Sequence, residues 1–63
     1  MNPKLKRIMN DWRSLNEHLH KLSEAEVKEM LDWEKTNTQR KVFLERLHQR
    51  YGVLRASRER AAL

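Results

Sequence analysis

The chain has 63 residues, no cysteine, one glycine and one proline, and its 14 lysine and arginine residues against nine acidic residues give a net charge of +5. This length allows one small domain with a thin core, and the lack of cysteine excludes disulfide bonds as a means of stabilising it. No stretch approaches the ~20 apolar residues of a membrane span, and the N-terminus lacks the apolar segment of a secretory signal, so we expect a cytoplasmic protein without membrane contact.

The first predicted helix covers residues 3–21. Asn2 is a favourable N-cap, and Pro3 suits the first helical position. Apolar residues then recur with alternating spacings of three and four: Leu5, Ile8, Trp12, Leu15, Leu19 and Leu22. This heptad pattern predicts one continuous helix whose apolar stripe packs against other helices of the chain or against a second copy.

The second predicted helix covers residues 24–35. Ser23 and Glu26 have the spacing of a capping box, and Leu22 and Val27 have that of a hydrophobic staple. Its apolar face is formed by Val27, Met30 and Leu31. The helix should therefore begin directly after Ser23.

The third predicted helix covers residues 38–61, after a polar break at Thr36–Thr38. Its apolar stripe contains Phe43, Leu44, Leu47, Tyr51 and Leu54. Gly52 either ends a helix at Tyr51 or lies inside a helix that continues, at a cost of ~1 kcal/mol relative to alanine. The apolar phase is unchanged across Gly52, which favours continuity or a slight kink.

Charged residues are divided by segment. Residues 1–22 have a net charge of +3, residues 23–35 of −3 and residues 36–63 of +5. An acidic middle helix between basic ones favours antiparallel packing of the second helix against the third, or against a basic helix of a neighbouring chain. Arg40 and Arg58 fall on the apolar stripe of the third helix, and Glu34 on that of the second is a plausible partner for one of them.

These patterns predict an all-α fold and a single domain over residues 1–63. We expect three helices, or a helical hairpin with a long C-terminal helix, whose core is completed in a homodimeric bundle. Small chains without disulfides or metals often gain stability in this way.

Catalytic and metal-binding patterns are not found. The three serines have no adjacent histidine, and a single glycine excludes a glycine-rich phosphate loop. His18, His20 and His48 do not have metal-ligand spacing. We therefore expect a binding protein without enzymatic activity, cofactor or metal.

Two kinds of surface residue are candidates for partner binding. Arg46, Arg50 and Arg60 share one side of the third helix and could contact phosphates, although core packing explains the aromatic residues there better than base stacking. Trp33, Val42 and Val53 project away from the main apolar stripes, which suggests a protein interface or a dimer. The bland alternatives are a solvated charged face for the arginines and, for Trp33, a cover over the core edge.

Residues 22–51, LSEAEVKEMLDWEKTNTQRKVFLERLHQRY, resemble the short helical accessory proteins of tailed bacteriophages. The resemblance lies in the capped acidic helix, the polar break at Asn37 and the following arginine-spaced helix. It implies a small factor in a bacterial host cell that binds and modulates or inhibits a protein complex, such as a polymerase, nuclease or defence complex. The alternative is a small basic nucleic-acid-binding protein that uses the arginine-rich third helix.

Overall fold

The computed structural model describes all 63 residues and contains helices but no strands. There are four α-helices, α1 (Pro3–Ile8), α2 (Trp12–His18), α3 (Glu24–Thr36) and α4 (Lys41–Ala61), and a short 3₁₀ helix (Leu19–Lys21) follows α2. The predicted all-α fold is confirmed. The number of helices differs from the prediction because the first predicted helix is two.

The prediction of one helix over residues 3–21 is wrong at Met9–Asp11. Asp11 has an extended backbone (φ −146°, ψ 165°), and its carboxylate accepts a hydrogen bond of 2.7 Å from the backbone N–H of Ser14. A residue in that conformation ends one helix and caps the next. The break also turns Trp12 outward, so that it is 45% exposed and does not belong to the buried stripe.

The capping box that starts α3 is confirmed. The Ser23 hydroxyl accepts from the backbone N–H of Glu26, and the Glu26 carboxylate accepts from that of Ser23. Leu22 and Val27, the predicted staple pair, are both buried. α3 ends at Thr36, one residue beyond the prediction.

α4 begins at Lys41, three residues later than predicted, because the chain first makes a turn. Gln39 lies in the left-handed region with φ 51°, and Arg40 is an extended N-cap. Gly52 lies within an uninterrupted α4 and does not have a positive φ, so the continuous alternative is confirmed.

Successive helices alternate in direction. Glu34 pairs with Arg40 at one end of the α3–α4 hairpin and Glu24 pairs with Arg58 at the other, so α3 and α4 are antiparallel as predicted. α4, at about 31 Å long, spans most of a molecule measuring 36 × 19 × 19 Å. All helices contribute to one core of 11 buried apolar residues: Leu5, Ile8, Met9, Leu15, Leu19, Leu22, Val27, Met30, Leu31, Phe43 and Leu47.

A buried ion pair joins three segments of the chain, and we call it the Glu34 cluster (Glu34, Thr38, Arg40 and the Met9 carbonyl). Glu34 is fully buried and accepts hydrogen bonds from the Thr38 hydroxyl and from the Arg40 backbone and guanidinium, the latter at 2.7 Å. The same guanidinium donates to the Met9 carbonyl at 3.0 Å and lies 3.5 Å from the centre of the Phe43 ring. The predicted pairing of Glu34 with an arginine on the apolar stripe of the third helix is thus confirmed.

Candidate binding surface on α4

One side of α4 carries most of the residues expected to bind a partner. Successive residues of a helix are turned by about 100°, so residues that do not face the core fall on other sides of α4. One of these sides forms a strip beside α2. We call this strip the α4 flank, and it consists of Val42, Arg46, Gln49, Arg50, Val53 and Arg60. None of these residues is buried, and none is acidic.

α2 and the 3₁₀ helix lie beside the flank and run parallel to α4. The ring of Trp12 packs edge-on against that of Phe43, with centroids 5.5 Å apart. Further along, Arg46 donates through Nε to Asn16 Oδ1 at 3.1 Å. Arg50 donates through one terminal nitrogen to the His20 carbonyl at 3.3 Å.

Between α4 and the segment formed by α2 and the 3₁₀ helix, these contacts border a groove of about 310 Å³. We call it the flank groove, and it is lined by Asn16, Leu19, His20, Arg46, Gln49, Arg50 and Val53. It contains two guanidinium groups and no carboxylate. Its positive potential is therefore not neutralised by a residue of its own lining.

Arg50 is incompletely satisfied within this groove. Its Nε is inaccessible to solvent and has no hydrogen-bond partner. An arginine has five N–H donors, and a buried donor without an acceptor costs about 1–3 kcal/mol. The long bond to His20 is the one hydrogen bond that Arg50 makes through its side chain.

Two valines extend the flank beyond the arginines. Val42 is 56% exposed and Val53 is 58% exposed. Val42, Arg46, Arg50 and Val53 follow one another at spacings of four, four and three residues. They form a single line with a valine at each end and two arginines between.

Arg60 lies further along the flank, past the end of the groove. All residues from Arg55 to Leu63 are exposed, so this last part of α4 carries no core packing. It is held to α3 by the 2.8 Å ion pair of Arg58 with Glu24. Arg60 is therefore on the same side as the groove, but its guanidinium is not part of it.

Trp33 does not join the flank. It is half-buried and packs against the core from α3, as the alternative of a cover over the core edge requires. On α3, Leu31 and Lys35 line a small groove against α4, and Trp33 points roughly half a turn away from them. The structure thus separates Trp33 from the other five candidate residues.

Asn16 and His20 are groove residues that the sequence reasoning missed. Each meets an arginine 30 positions further along the chain. Local spacing holds no signal for such a contact, because it depends on how α2 folds back after the break at Asp11. The Asn10-Asp11 pair followed by Ser14 was the local sign of that break.

Three other grooves have less suitable linings. The largest, of about 530 Å³, lies between α1 and α2 and has no hydrophobic residue, and its cations Lys6 and Arg7 share it with Asp11. A second, of about 370 Å³, has Ile8 as its one hydrophobic residue and contains a single arginine. The groove between Leu31 and Leu44 is mainly apolar and is bordered by Glu45. The flank groove is the one that combines two arginines with apolar side chains.

Ion pairing leaves a strong excess of free cations. Six ion pairs use six of the 14 basic and six of the nine acidic residues, leaving eight and three. Four of the eight free cations are on α4: Lys41, Arg46, Arg50 and Arg60. Half of the free cations therefore lie on the helix that carries the flank.

The helices do not build other recognisable sites. None of them has the length and apolar character needed to cross a bilayer. No three side chains of the metal-ligating types come together. When the chain is compared with protein families, curated proteins and solved structures, it matches none of them.

Proposed function

We propose that this chain is a small non-enzymatic binding protein that docks on a protein complex through the α4 flank and modulates or inhibits it. The observation that carries the proposal is the line Val42–Arg46–Arg50–Val53, in which an exposed valine stands at each end of two arginines that line a groove without an acid. Arginine beside exposed apolar residues is typical of protein interfaces. The partner surface should therefore be acidic and partly aliphatic.

The resemblance of residues 22–51 to accessory proteins of tailed bacteriophages supports the modulating role. Such a factor would act in the cytoplasm, in a bacterial host cell if the chain is of phage origin. It needs no catalytic group, since occupation of the partner surface is sufficient to alter the complex.

The alternative is nucleic-acid binding through Arg46, Arg50 and Arg60. It is favoured by the excess of free cations, because phosphate contacts dominate such affinities. The two valines argue against it, since a phosphate backbone gives them nothing apolar to cover. The aromatic residues of α4 also contribute little, because Phe43 is buried and Tyr51 is half-buried against the core.

Affinity capture from native cell extract tests the proposal. The wild-type chain is compared with the double variant Val42→Asp/Val53→Asp in the presence and absence of nuclease. We expect a protein partner whose capture resists nuclease and is lost with the double variant. The introduced aspartates would replace apolar contacts and would face the acidic residues of the partner surface. Leu63→Asp makes the same change at an exposed apolar residue away from the flank and should retain the partner.

Two results would contradict this function. One is a capture that disappears with nuclease. The other is saturable binding of a generic DNA duplex that weakens steeply with salt and with Arg46→Ala/Arg50→Ala. Either would establish the nucleic-acid alternative.

Homodimerisation is a further proposal. The 11-residue core closes within one chain, so a second copy would cover exposed apolar residues rather than complete the core. The largest of these on the helices are Trp12, Val42 and Val53, so a dimer that covers the two valines must separate before the α4 flank binds its partner. Sedimentation equilibrium should show a dimer at micromolar concentration, and a monomer would contradict it.

A further inference from the structure

The two arginines of the flank groove have most of their donors unused. Arg46 uses its Nε on Asn16, and Arg50 uses one terminal nitrogen on the His20 carbonyl. Each guanidinium has five donors, and the Nε of Arg50 has no acceptor at all. The groove therefore presents more cationic donors than its own lining accepts.

The arginine side chains are also held in place before any partner arrives. Both are half-buried, and both are fixed by residues of the α2 region rather than by their own helix. A side chain that is already ordered loses less entropy when it binds. Since the two lie one helical turn apart, about 6 Å along the axis, they can receive two acidic groups at the same spacing.

We propose that Arg46 and Arg50 form a carboxylate-binding seat for two acidic side chains of a helix in the partner protein. This inference depends on the proposed function and specifies the partner's chemistry. Guanidinium groups bind carboxylates in a bidentate manner, so the unused terminal N–H donors of Arg46 and Arg50 can each hold one acidic group. Val42 and Val53 cover one aliphatic residue on each side of the acidic pair.

The proposal predicts the pattern of the partner helix. It carries an apolar, two acidic and a second apolar residue in that order. Their spacings are four, four and three if the helix runs parallel to α4, and three, four and four if it runs antiparallel. A duplex nucleic acid does not have this pattern, because it offers phosphates at both ends where the valines lie. The charge of the groove and its apolar ends thus select the same occupant.

The test uses two alanine-based helical peptides that carry Leu, Glu, Glu and Leu. The spacings are four, four and three in one peptide, and three, four and four in the other. The peptides are titrated into the full-length ¹⁵N-labelled chain, and the Nε–Hε signals of Arg46 and Arg50 are followed. We expect one peptide to give saturable shifts of both signals. Replacing its two glutamates by glutamine should weaken binding roughly tenfold or more, because the amide oxygens carry no charge to strengthen their hydrogen bonds with the guanidinium groups.

Variants of the chain provide the second arm. Arg46→Lys and Arg50→Lys keep the charge but lose the planar fork, so each should weaken binding of the glutamate peptide several-fold. Arg55→Lys makes the same substitution on another face of α4 and should leave affinity unchanged. Because the glutamine peptide tests the seat on the unaltered chain, a misfolded variant does not decide the outcome.

Three results would overturn the seat, and they separate it from the proposed function. If glutamate and glutamine peptides bind equally, or neither shifts the arginine signals, the seat is wrong, while capture that depends on Val42 and Val53 still stands. If a DNA duplex shifts both signals and no peptide does, the seat and the protein-binding function are both wrong.

Discussion

The buried ion pair of Glu34 with Arg40 predicts that Glu34→Gln destabilises the wild-type chain but stabilises the Arg40→Met chain. Arg40→Met leaves a carboxylate with no exposed surface and no cation beside it. Glu34→Gln instead leaves Arg40 without its anion, but the Arg40 side chain is 32% exposed and can be solvated. The two single variants are therefore not equivalent.

The expected magnitudes follow from burial. A chain of this length has an unfolding free energy of about 3–9 kcal/mol. Arg40→Met should cost about 3–5 kcal/mol, since it removes one partner of a buried pair. Glu34→Gln should cost about 1.5–3 kcal/mol through the loss of charge-assisted hydrogen bonds. In the Arg40→Met background, however, Glu34→Gln should restore about 1–3 kcal/mol, because it removes the buried charge.

Urea unfolding followed by circular dichroism and tryptophan fluorescence at pH 7 measures all four chains of this cycle. The exposed pair of Arg55 with Glu59, also on α4, is the control and should couple by no more than about 0.5 kcal/mol. The reasoning is refuted if Glu34→Gln destabilises the Arg40→Met chain as much as it destabilises the wild type.

Three smaller effects follow from the same structure. Burial raises the pKa of Glu34, but hydrogen bonds from Arg40 and Thr38 outweigh burial and hold this pKa below its ordinary value. The stability that ionised Glu34 contributes is therefore complete above the unfolded-state pKa of about 4.3, and it is lost as the pH falls through the folded-state pKa. Acid titration of stability should accordingly be flatter in Glu34→Gln, and an unchanged slope would contradict the assignment. Gly52→Ala should raise the unfolding free energy by about 1 kcal/mol, because the added Cβ meets nothing within 4 Å, and a decrease in urea midpoint would argue against a helical Gly52. Ser23→Ala should cost about 1 kcal/mol by removing the cap of α3, whereas Ser57→Ala on exposed α4 should cost nothing in the same assay.

Local signals in the sequence predicted the parts of the fold that depend on neighbouring residues. The start of α3 was predicted to the residue, because a capping box is complete within four positions. The pairing of Glu34 with either Arg40 or Arg58 was predicted because helical periodicity placed these charges on apolar stripes. The continuity of α4 through Gly52 followed from an unchanged apolar phase.

The break between α1 and α2 was missed for a physical reason. Leu5, Ile8, Leu15 and Leu19 are all buried in one core, so their spacing looks the same whether one helix or two present them. Periodicity reports which residues are buried, and it does not report whether the backbone between them is continuous. The Asp11 cap carries that information instead.

The candidate site was predicted only in its α4 half. Arg46 and Arg50 were grouped by their angle on the third helix, and Val53 was named separately because it projects away from the apolar stripe. Their neighbours Asn16 and His20 come from a segment whose position depends on the missed break. Trp33 was included because its angle departs from the α3 stripe, yet the short helices of so small a fold leave it packed against the core.

The link from Arg40 back to the Met9 carbonyl also bears on the order in which the chain folds. α1 and α2 have six and seven residues, and helices that short are not stable alone in water. They acquire structure when the α3–α4 hairpin provides a surface on which they pack. The guanidinium of Arg40 then donates a hydrogen bond to the carbonyl of Met9, 31 residues earlier in the chain. During synthesis the first third of the chain therefore leaves the ribosome before the helix it needs, and its folding waits for α4.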